Sequence, residues 1–207
     1  MIKISLVWLL LSIVLLGSSP AHAAEPEGLI DISRSAPEIQ LDMRYATPEN
    51  FLRRAVYPLA VCLLRPAVAE RLVRVQRRVA VQGYTLRLWD CYRPLSVQKQ
   101  MWAIVHDERY VADPAKGSRH NRGAAVDLTL SDAQGVALEM PTSFDDFSAR
   151  AGRDAEAGWS ETARRNYAVL DRAMRSEGFL PLPSEWWHYD ATGWEIYPVL
   201  DVPLAPR

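Results

Sequence analysis

An aspartate inside an apolar run is the feature of this sequence that most restricts its fold. Residues 117–130 read GSRHNRGAAVDLTL, where Asp127 lies between the triplets AAV and LTL. Such composition favours a β-strand. A carboxylate buried in a strand costs free energy unless it is paired or binds a metal. The chain must therefore bring a partner to Asp127, and His120, on the other side of the turn-forming Gly123, is a candidate.

A second histidine segment extends this pattern. Residues 185–190 read EWWHYD and supply Glu185 and His188. Two histidines and an aspartate can form a three-ligand zinc site that leaves one position open for water. A nearby glutamate can then accept a proton from that water. In a regular strand positions 185 and 188 face opposite sides, so Glu185 is expected in the turn that precedes the strand.

Each of these residues also has a purely structural interpretation. Asp127 could be bonded to backbone groups, with His120 at the surface. The segment EWWHYD could be an aromatic core strand in which His188 is hydrogen-bonded and Glu185 is exposed. Arg93, in DCYRP, could hold a developing oxyanion or could be an ordinary turn arginine. The motif H-E-x-x-H is absent from the chain, which excludes a helix-borne zinc site of that type.

The first 23 residues have the plan of a secretory signal peptide. Lys3 precedes an apolar stretch over residues 4–16, and A-H-A ends at Ala23. The alternative is an uncleaved anchor, for which the apolar stretch is short. We predict cleavage near Ala24, transport across the inner membrane into the periplasm, no stable membrane anchor afterwards, and one mature domain, residues 24–207.

Charge and cysteine content restrict the partners and the compartment. The full chain has a net charge of −1, and loss of Lys3 with the signal makes it about −2, with no basic tract. Nucleic acid is therefore not an expected partner. The two cysteines, Cys62 and Cys91, favour a disulfide in an exported protein, although two buried thiols would fit the sequence too. They lack the spacing of a zinc site.

The pattern of elements predicts an α+β fold, with a small antiparallel sheet packed with helices. Alternation predicts strands over residues 39–46 and 84–90, and composition adds 124–130 and two short aromatic strands near the C-terminus. An apolar stripe predicts a helix that begins at Pro66 and stops at Gly83. Further helices are expected over residues 95–108 and after Ser160.

Taken together, these segments resemble the VanX-type zinc D-alanyl-D-alanine dipeptidases, of the D,D-peptidase and hedgehog-like group. The resemblance is carried by S-R-H-N-R-G-A-A-V-D, E-W-W-H and W-D-C-Y-R-P, with RYATPENF and MPTSFDDF as flanking segments. It runs from about residue 39 to about residue 190. It implies the hedgehog/D,D-peptidase-like fold, one Zn²⁺ per chain, and hydrolysis of D-alanyl-D-alanine to two D-alanines.

The resemblance also implies roles for individual residues. The expected zinc ligands are His120, Asp127 and His188, with Glu185 as general base and Arg93 as stabiliser of the tetrahedral intermediate. Near the bound dipeptide it places Tyr45, Ser118 and Asp145. Asp145, or the adjacent Asp146, would be the counter-charge for the substrate ammonium.

Two other functions stay open at this point. A zinc D,D-carboxypeptidase acting on longer peptidoglycan peptides would need an open groove rather than a closed site. A non-catalytic zinc-binding domain that binds a protein partner would need an altered base or a blocked fourth position. The sequence does not distinguish nutrient recycling, wall remodelling and antibiotic resistance, and it leaves the oligomeric state open.

Overall fold

The computed structural model describes residues 28–204. The predicted signal peptide, residues 1–23, lies outside the described residues. Seven strands and three α-helices are formed within that range: β1 (Ile30–Asp31), β2 (Gln40–Leu41), β3 (Leu63–Leu64), α1 (Pro66–Ala80), β4 (Thr85–Asp90), α2 (Leu95–Ile104), β5 (Ala125–Ser131), α3 (Glu161–Ser176), β6 (Phe179–Pro181) and β7 (His188–Ala191).

One five-stranded sheet forms the centre of the fold, in the order β2-β4-β5-β7-β6. All of its pairings are antiparallel except β2 with β4, which run parallel. A separate antiparallel pair joins β1 to β3. The α+β class is therefore confirmed, and the parallel edge strand is an addition to the antiparallel sheet that was predicted.

The sheet register places three polar residues side by side. Asp127 of β5 lies opposite Asp90 of β4 on one side and opposite His188 of β7 on the other. All three are buried. Because β5 is the central strand and every one of its residues is buried, the row lies within the protein, and Asp127 and His188 line the cavity described below.

Two amphipathic helices follow the sequence prediction closely. The stripe Val68, Leu72, Val75 and Val79 of α1 is buried in the core, and Gly83 ends the following turn with φ +81°. At the start of α3 the Ser160 hydroxyl accepts a hydrogen bond from the Ala163 amide, as expected of a capping serine. These local signals hold because the periodicity and the capping groups lie within a few residues of one another.

Other elements differ from the prediction. The strand expected over residues 39–46 ends at Leu41, and Arg44–Ala46 forms a 3₁₀ turn instead. The Tyr45 carbonyl there accepts hydrogen bonds from the Val56 and Tyr57 amides, which draws the chain away from the sheet edge. Helix α2 stops at Ile104, so His106 lies beyond it against Trp102. The strand expected in WEIYP is a 3₁₀ turn, Trp194–Ile196.

A disulfide joins Cys62 and Cys91, as predicted from the expected compartment. It ties the residue before β3 to the residue after β4. No helix within residues 28–204 combines the length and apolar character needed to cross a bilayer.

Candidate metal centre

Three predicted ligand residues converge at one point. His188 Nδ1 lies 2.9 Å from Asp127 Oδ1, and His120 Nε2 lies 3.4 Å from Asp127 Oδ2. The two imidazole nitrogens are 3.2 Å apart. Ligand atoms at zinc–ligand distances of about 2.0–2.2 Å in a tetrahedral arrangement lie about 3.3 Å from one another. The spacing of this buried group therefore fits a small tetrahedral cation.

The orientation of the two imidazoles supports the same interpretation. His120 Nδ1 donates to the Cys91 carbonyl at 2.7 Å, and His188 Nε2 lies 2.9 Å from Asp190 Oδ1. Because those nitrogens are engaged by acceptors, His120 Nε2 and His188 Nδ1 are the ring nitrogens that would face a bound metal. Ligand histidines in metalloproteins are generally fixed by outer hydrogen bonds of this kind.

The charge of Asp127 is also suitable for a cation. Burial alone would raise the pKa of Asp127, but the charges and hydrogen bonds of His120 and His188 hold it below its ordinary value. The residue is a carboxylate at neutral pH, so the centre combines one anion with two imidazoles. This donor set is typical of zinc sites.

A short turn brings His120 to the strand that carries Asp127. His120–Arg122 form a 3₁₀ turn that ends at Gly123, which has φ 66°. A Cβ atom at Gly123 would lie 2.5 Å from Leu29 Cδ2, so this position requires glycine for its conformation and its close packing. The Ser118 hydroxyl accepts from the His120 amide at 3.2 Å and helps to hold the turn.

Glu185 lies in the turn before β7, as the strand geometry required. Its amide bonds to the Leu182 carbonyl, and its Oε2 is 3.9 Å from His188 Nδ1. Burial raises the pKa of the Glu185 carboxyl, although His188 acts in the opposite direction. The carboxyl is therefore beside the predicted metal ligands and more basic than an exposed glutamate, which suits a proton acceptor.

Arg93 is fixed against the same centre. Its Nε and Nη2 donate to Asp90 Oδ2 at 3.1 and 2.6 Å, and its Nη1 donates to Gln98 at 2.8 Å. The guanidinium lies 5.2 Å from the ring centroid of Tyr45. Held from behind by these contacts, Arg93 presents its remaining face to the cavity that it lines.

One cavity of about 220 Å³ contains all of the predicted site residues. Asp145 lines it, and the Tyr45 hydroxyl donates to Asp145 Oδ1 at 3.1 Å. Asp146 does not line this cavity and instead accepts a hydrogen bond from the Ser148 amide. Geometry thus favours Asp145 over Asp146 as the acid that faces a ligand. The wall also includes Trp187, whereas Trp186 is buried behind it against Trp89.

The electrostatic state of Asp145 is unusual. Burial is the main reason that the pKa of its carboxyl rises to about 8, and the nearby Asp127 carboxylate adds to the rise. In the protein without a bound cation Asp145 is therefore mostly protonated at neutral pH. A positive group placed against it would favour the ionised form.

Sequence reasoning missed three residues that support the site. Asp90 accepts from Arg93 and Tyr57 and lies 3.6 Å from His120 Nδ1, while Asp190 contacts His188. The Asn121 side chain accepts from the Ser118 amide and donates to the Arg93 carbonyl. Each of the three lies within three residues of a predicted site residue: Asp90 in DCYR, Asp190 in HYD and Asn121 in HN. A search for acids and amides that flank the motifs could therefore have found them.

Two imidazoles and a carboxylate converge beside a glutamate and an arginine, in a cavity of about 220 Å³ on an α+β scaffold. These features define a metallopeptidase. A family model described as D-ala-D-ala dipeptidase, of the peptidase M15 group, matches residues 25–200, and the chain belongs to that family. The resemblance found in the sequence motifs is thereby confirmed.

Curated relatives support the assignment over most of their length. A D-alanyl-D-alanine dipeptidase of Escherichia coli K12 is 33% identical over 172 residues, which cover 83% of this chain and 89% of the relative. One from Enterococcus faecalis is 30% identical over 183 residues, covering 78% and 90%. Among solved structures, VanYB in complex with D-alanine-D-alanine is similar at a TM-score of 0.41 and 19% identity, covering 65% of this chain and 74% of that one.

Proposed function

We propose that this protein hydrolyses D-alanyl-D-alanine to two D-alanines in a zinc-dependent reaction. The observation that carries the proposal is the convergence of His120 Nε2, Asp127 and His188 Nδ1 at 2.9–3.4 Å in the cavity that Glu185 also lines. The names of the curated relatives support the choice of substrate.

The three converging residues would hold one Zn²⁺ per chain. When bound, zinc supplies Lewis-acid chemistry, which acidifies water and polarises a carbonyl oxygen. Asp127 and the two imidazoles provide the donor set, and the Cys91 carbonyl and Asp190 hold the rings in position. The site is buried on the protein side, so a ligand can approach only through the cavity.

Glu185 and Arg93 perform the chemistry that belongs to the protein itself. Glu185 accepts a proton from the attacking water and transfers it to the nitrogen of the leaving D-alanine. Arg93 donates to the oxyanion that develops on the scissile carbonyl. Because Asp90 and Gln98 fix the guanidinium beforehand, little reorganisation is needed when that charge appears.

Asp145 provides the selectivity for a free amine. The dipeptide ammonium would pair with the Asp145 carboxylate, and the resulting charge would displace the proton that Asp145 carries in the empty cavity. Tyr45 orients Asp145 through its hydroxyl, and Ser118 lines the same cavity. With an acylated amine Asp145 would stay protonated, and the ion pair that favours a free ammonium would not form.

We also propose that the protein acts in the periplasm after removal of residues 1–23. The disulfide between Cys62 and Cys91 supports an oxidising compartment. N-terminal sequencing of the protein recovered from a periplasmic fraction tests this, and an intact N-terminus would contradict it.

The decisive experiment is a zinc-dependent hydrolysis assay. Protein freed of metal is supplied with Zn²⁺ and given D-Ala-D-Ala, the L,D- and L,L-dipeptides, and a pentapeptide that ends in D-Ala-D-Ala. We expect turnover only with metal, with the D,D-dipeptide preferred. Preference for the pentapeptide would identify a carboxypeptidase. Zinc bound without any turnover would identify a non-catalytic zinc-binding domain.

A further inference from the structure

We infer that Phe147, stacked on Tyr110, is the residue that limits the substrate to two amino acids. The inference rests on the proposed dipeptidase function and adds a structural cause for its length specificity. It concerns a wall of aromatic rings at the end of the cavity where Asp145 lies.

The wall is a continuous arc of four rings. The centroids of Tyr45 and Phe51 are 6.1 Å apart, and those of Phe51 and Phe147 are 5.2 Å apart. Phe147 and Tyr110 are stacked, with centroids 4.4 Å apart and planes inclined by 29°. The rings come from three loops that are distant in sequence, so the arc exists only in the folded protein. Edge and stacked contacts of this kind stabilise one another.

One end of this arc lies where two cavities adjoin. The first, of about 220 Å³, contains the metal ligands and Asp145. The second, of about 580 Å³, lies on the other side and is lined by Asp146 and Arg153. Five residues line both cavities, and the stacked rings of Phe147 and Tyr110 are therefore part of the boundary between them, together with Arg109, Ser184 and Glu185.

A peptide longer than two residues would have to continue beyond its second residue at the end of the cavity where Asp145 and the aromatic rings lie. Asp145 lines only the first cavity, and its neighbour Asp146 lines only the second. A dipeptide amine paired with Asp145 therefore ends at the wall. An additional residue attached to that amine would extend toward the second cavity across this boundary, where the Phe147 ring takes up space.

The second cavity could accommodate such a residue. Its walls combine charged groups of both signs, Asp146, Asp154 and Arg153, with the ring of Phe147 itself. Polar walls of mixed charge can accept peptide backbone groups and a free terminus. Removal of the ring would join the two spaces into one groove of the kind that a carboxypeptidase needs.

The test is equilibrium binding to the zinc-loaded Glu185→Gln variant, which slows cleavage of the ligand. Di-D-alanine and tri-D-alanine are titrated by calorimetry into this variant and into the double variant Glu185→Gln, Phe147→Ala. We expect the ratio of tripeptide to dipeptide affinity to rise at least tenfold when the ring is removed. Phe147→Leu, which keeps a bulky apolar side chain, is the matched control and should leave the ratio close to the parent value.

The outcomes separate this inference from the proposed function. Tight dipeptide binding with an unchanged ratio of tripeptide to dipeptide affinity in the Phe147→Ala double variant would contradict the role of Phe147. The dipeptidase proposal would still stand. Equal affinity of the Glu185→Gln variant, the parent in this test, for both peptides would also contradict the role of Phe147. Binding of neither peptide by the parent would overturn both proposals. Thermal unfolding of each variant excludes loss of folding as the cause of any change.

Discussion

His188 Nε2 lies 2.9 Å from Asp190 Oδ1, while Nδ1 of the same ring lies 2.9 Å from Asp127 Oδ1. One imidazole is thus held between two carboxylates, of which one belongs to the metal centre and the other stands behind it. Asp190 in turn lies 3.5 Å from Arg119 Nε, and the Arg119 guanidinium is 4.6 Å from the Trp194 ring centroid. The orientation of a predicted metal ligand, His188, therefore depends on a chain of contacts that reaches the partly exposed Arg119.

Asp190→Asn should weaken zinc binding about 10–100-fold, which is the usual effect of losing an outer partner of a ligand histidine. The amide would no longer supply the charge that makes His188 a stronger ligand. Competition with a chromophoric chelator measures the affinity. Glu38→Gln, at an exposed acid, is the control and should bind zinc as the parent does. Unchanged affinity in Asp190→Asn would contradict the role of this contact.

Glu185→Gln should retain one zinc per chain and lose about 10²–10⁴-fold in kcat, the usual contribution of a general base. The amide fills the same space but cannot accept the proton. Elemental analysis gives the zinc content, and a D-alanine assay gives the turnover. Asp127→Ala is the contrasting variant, because it should lose the metal itself. Near-normal kcat in Glu185→Gln would remove this residue from the mechanism.

Arg93→Lys should lower kcat about 10²-fold with a smaller change in KM, because the oxyanion develops only in the transition state. Lysine keeps a positive charge near the buried Asp90, so the loss of folding stability should be modest. Arg93→Met removes the counter-charge of the buried Asp90 and should cost about 3–5 kcal/mol in the free energy of unfolding. Steady-state kinetics and urea unfolding measure the two effects. A change confined to KM would contradict oxyanion stabilisation.

Asp145→Asn should change how the stability of the metal-free protein depends on pH. The pKa of Asp145 rises from 3.8 in the unfolded reference to about 8 in the fold. The folded state therefore binds more protons between these values, and stability contributed by the protonated acid is lost as pH rises toward 8. Between pH 5 and pH 8 the wild type should lose up to about 4 kcal/mol relative to Asp145→Asn. Urea unfolding of both proteins at pH 5 and pH 8 measures this change. The same difference in unfolding free energy at the two pH values would contradict the prediction.

Reduction of the Cys62–Cys91 disulfide should destabilise the protein by roughly 3–4 kcal/mol, the loop-closure value for a separation of 29 residues. It should also weaken zinc binding, because the Cys91 carbonyl accepts from His120 Nδ1. Urea unfolding and chelator competition with and without reductant measure both quantities. A drop in stability without any change in zinc affinity would show that the bridge does not position His120.

The sequence by itself determined the elements whose signals are local. Helix α1 follows from its apolar stripe, the start of α3 follows from the Ser160 cap, and the turn at Gly123 follows from a glycine where the backbone has positive φ. The three ligand types could also be named, because a buried acid requires a partner and few side chains can supply one. Each of these inferences uses residues that are close along the chain.

Only the tertiary structure decided which distant groups meet. The register of β5 with β7 sets Asp127 opposite His188, and a shift of one residue would turn one of them to the other face of the sheet. The 3₁₀ turn at Tyr45, the outer partners Asp90 and Asp190, and the stacking of Phe147 on Tyr110 likewise depend on packing between loops. Pairing energies of this kind arise from contacts across long sequence separations, which composition and periodicity do not encode.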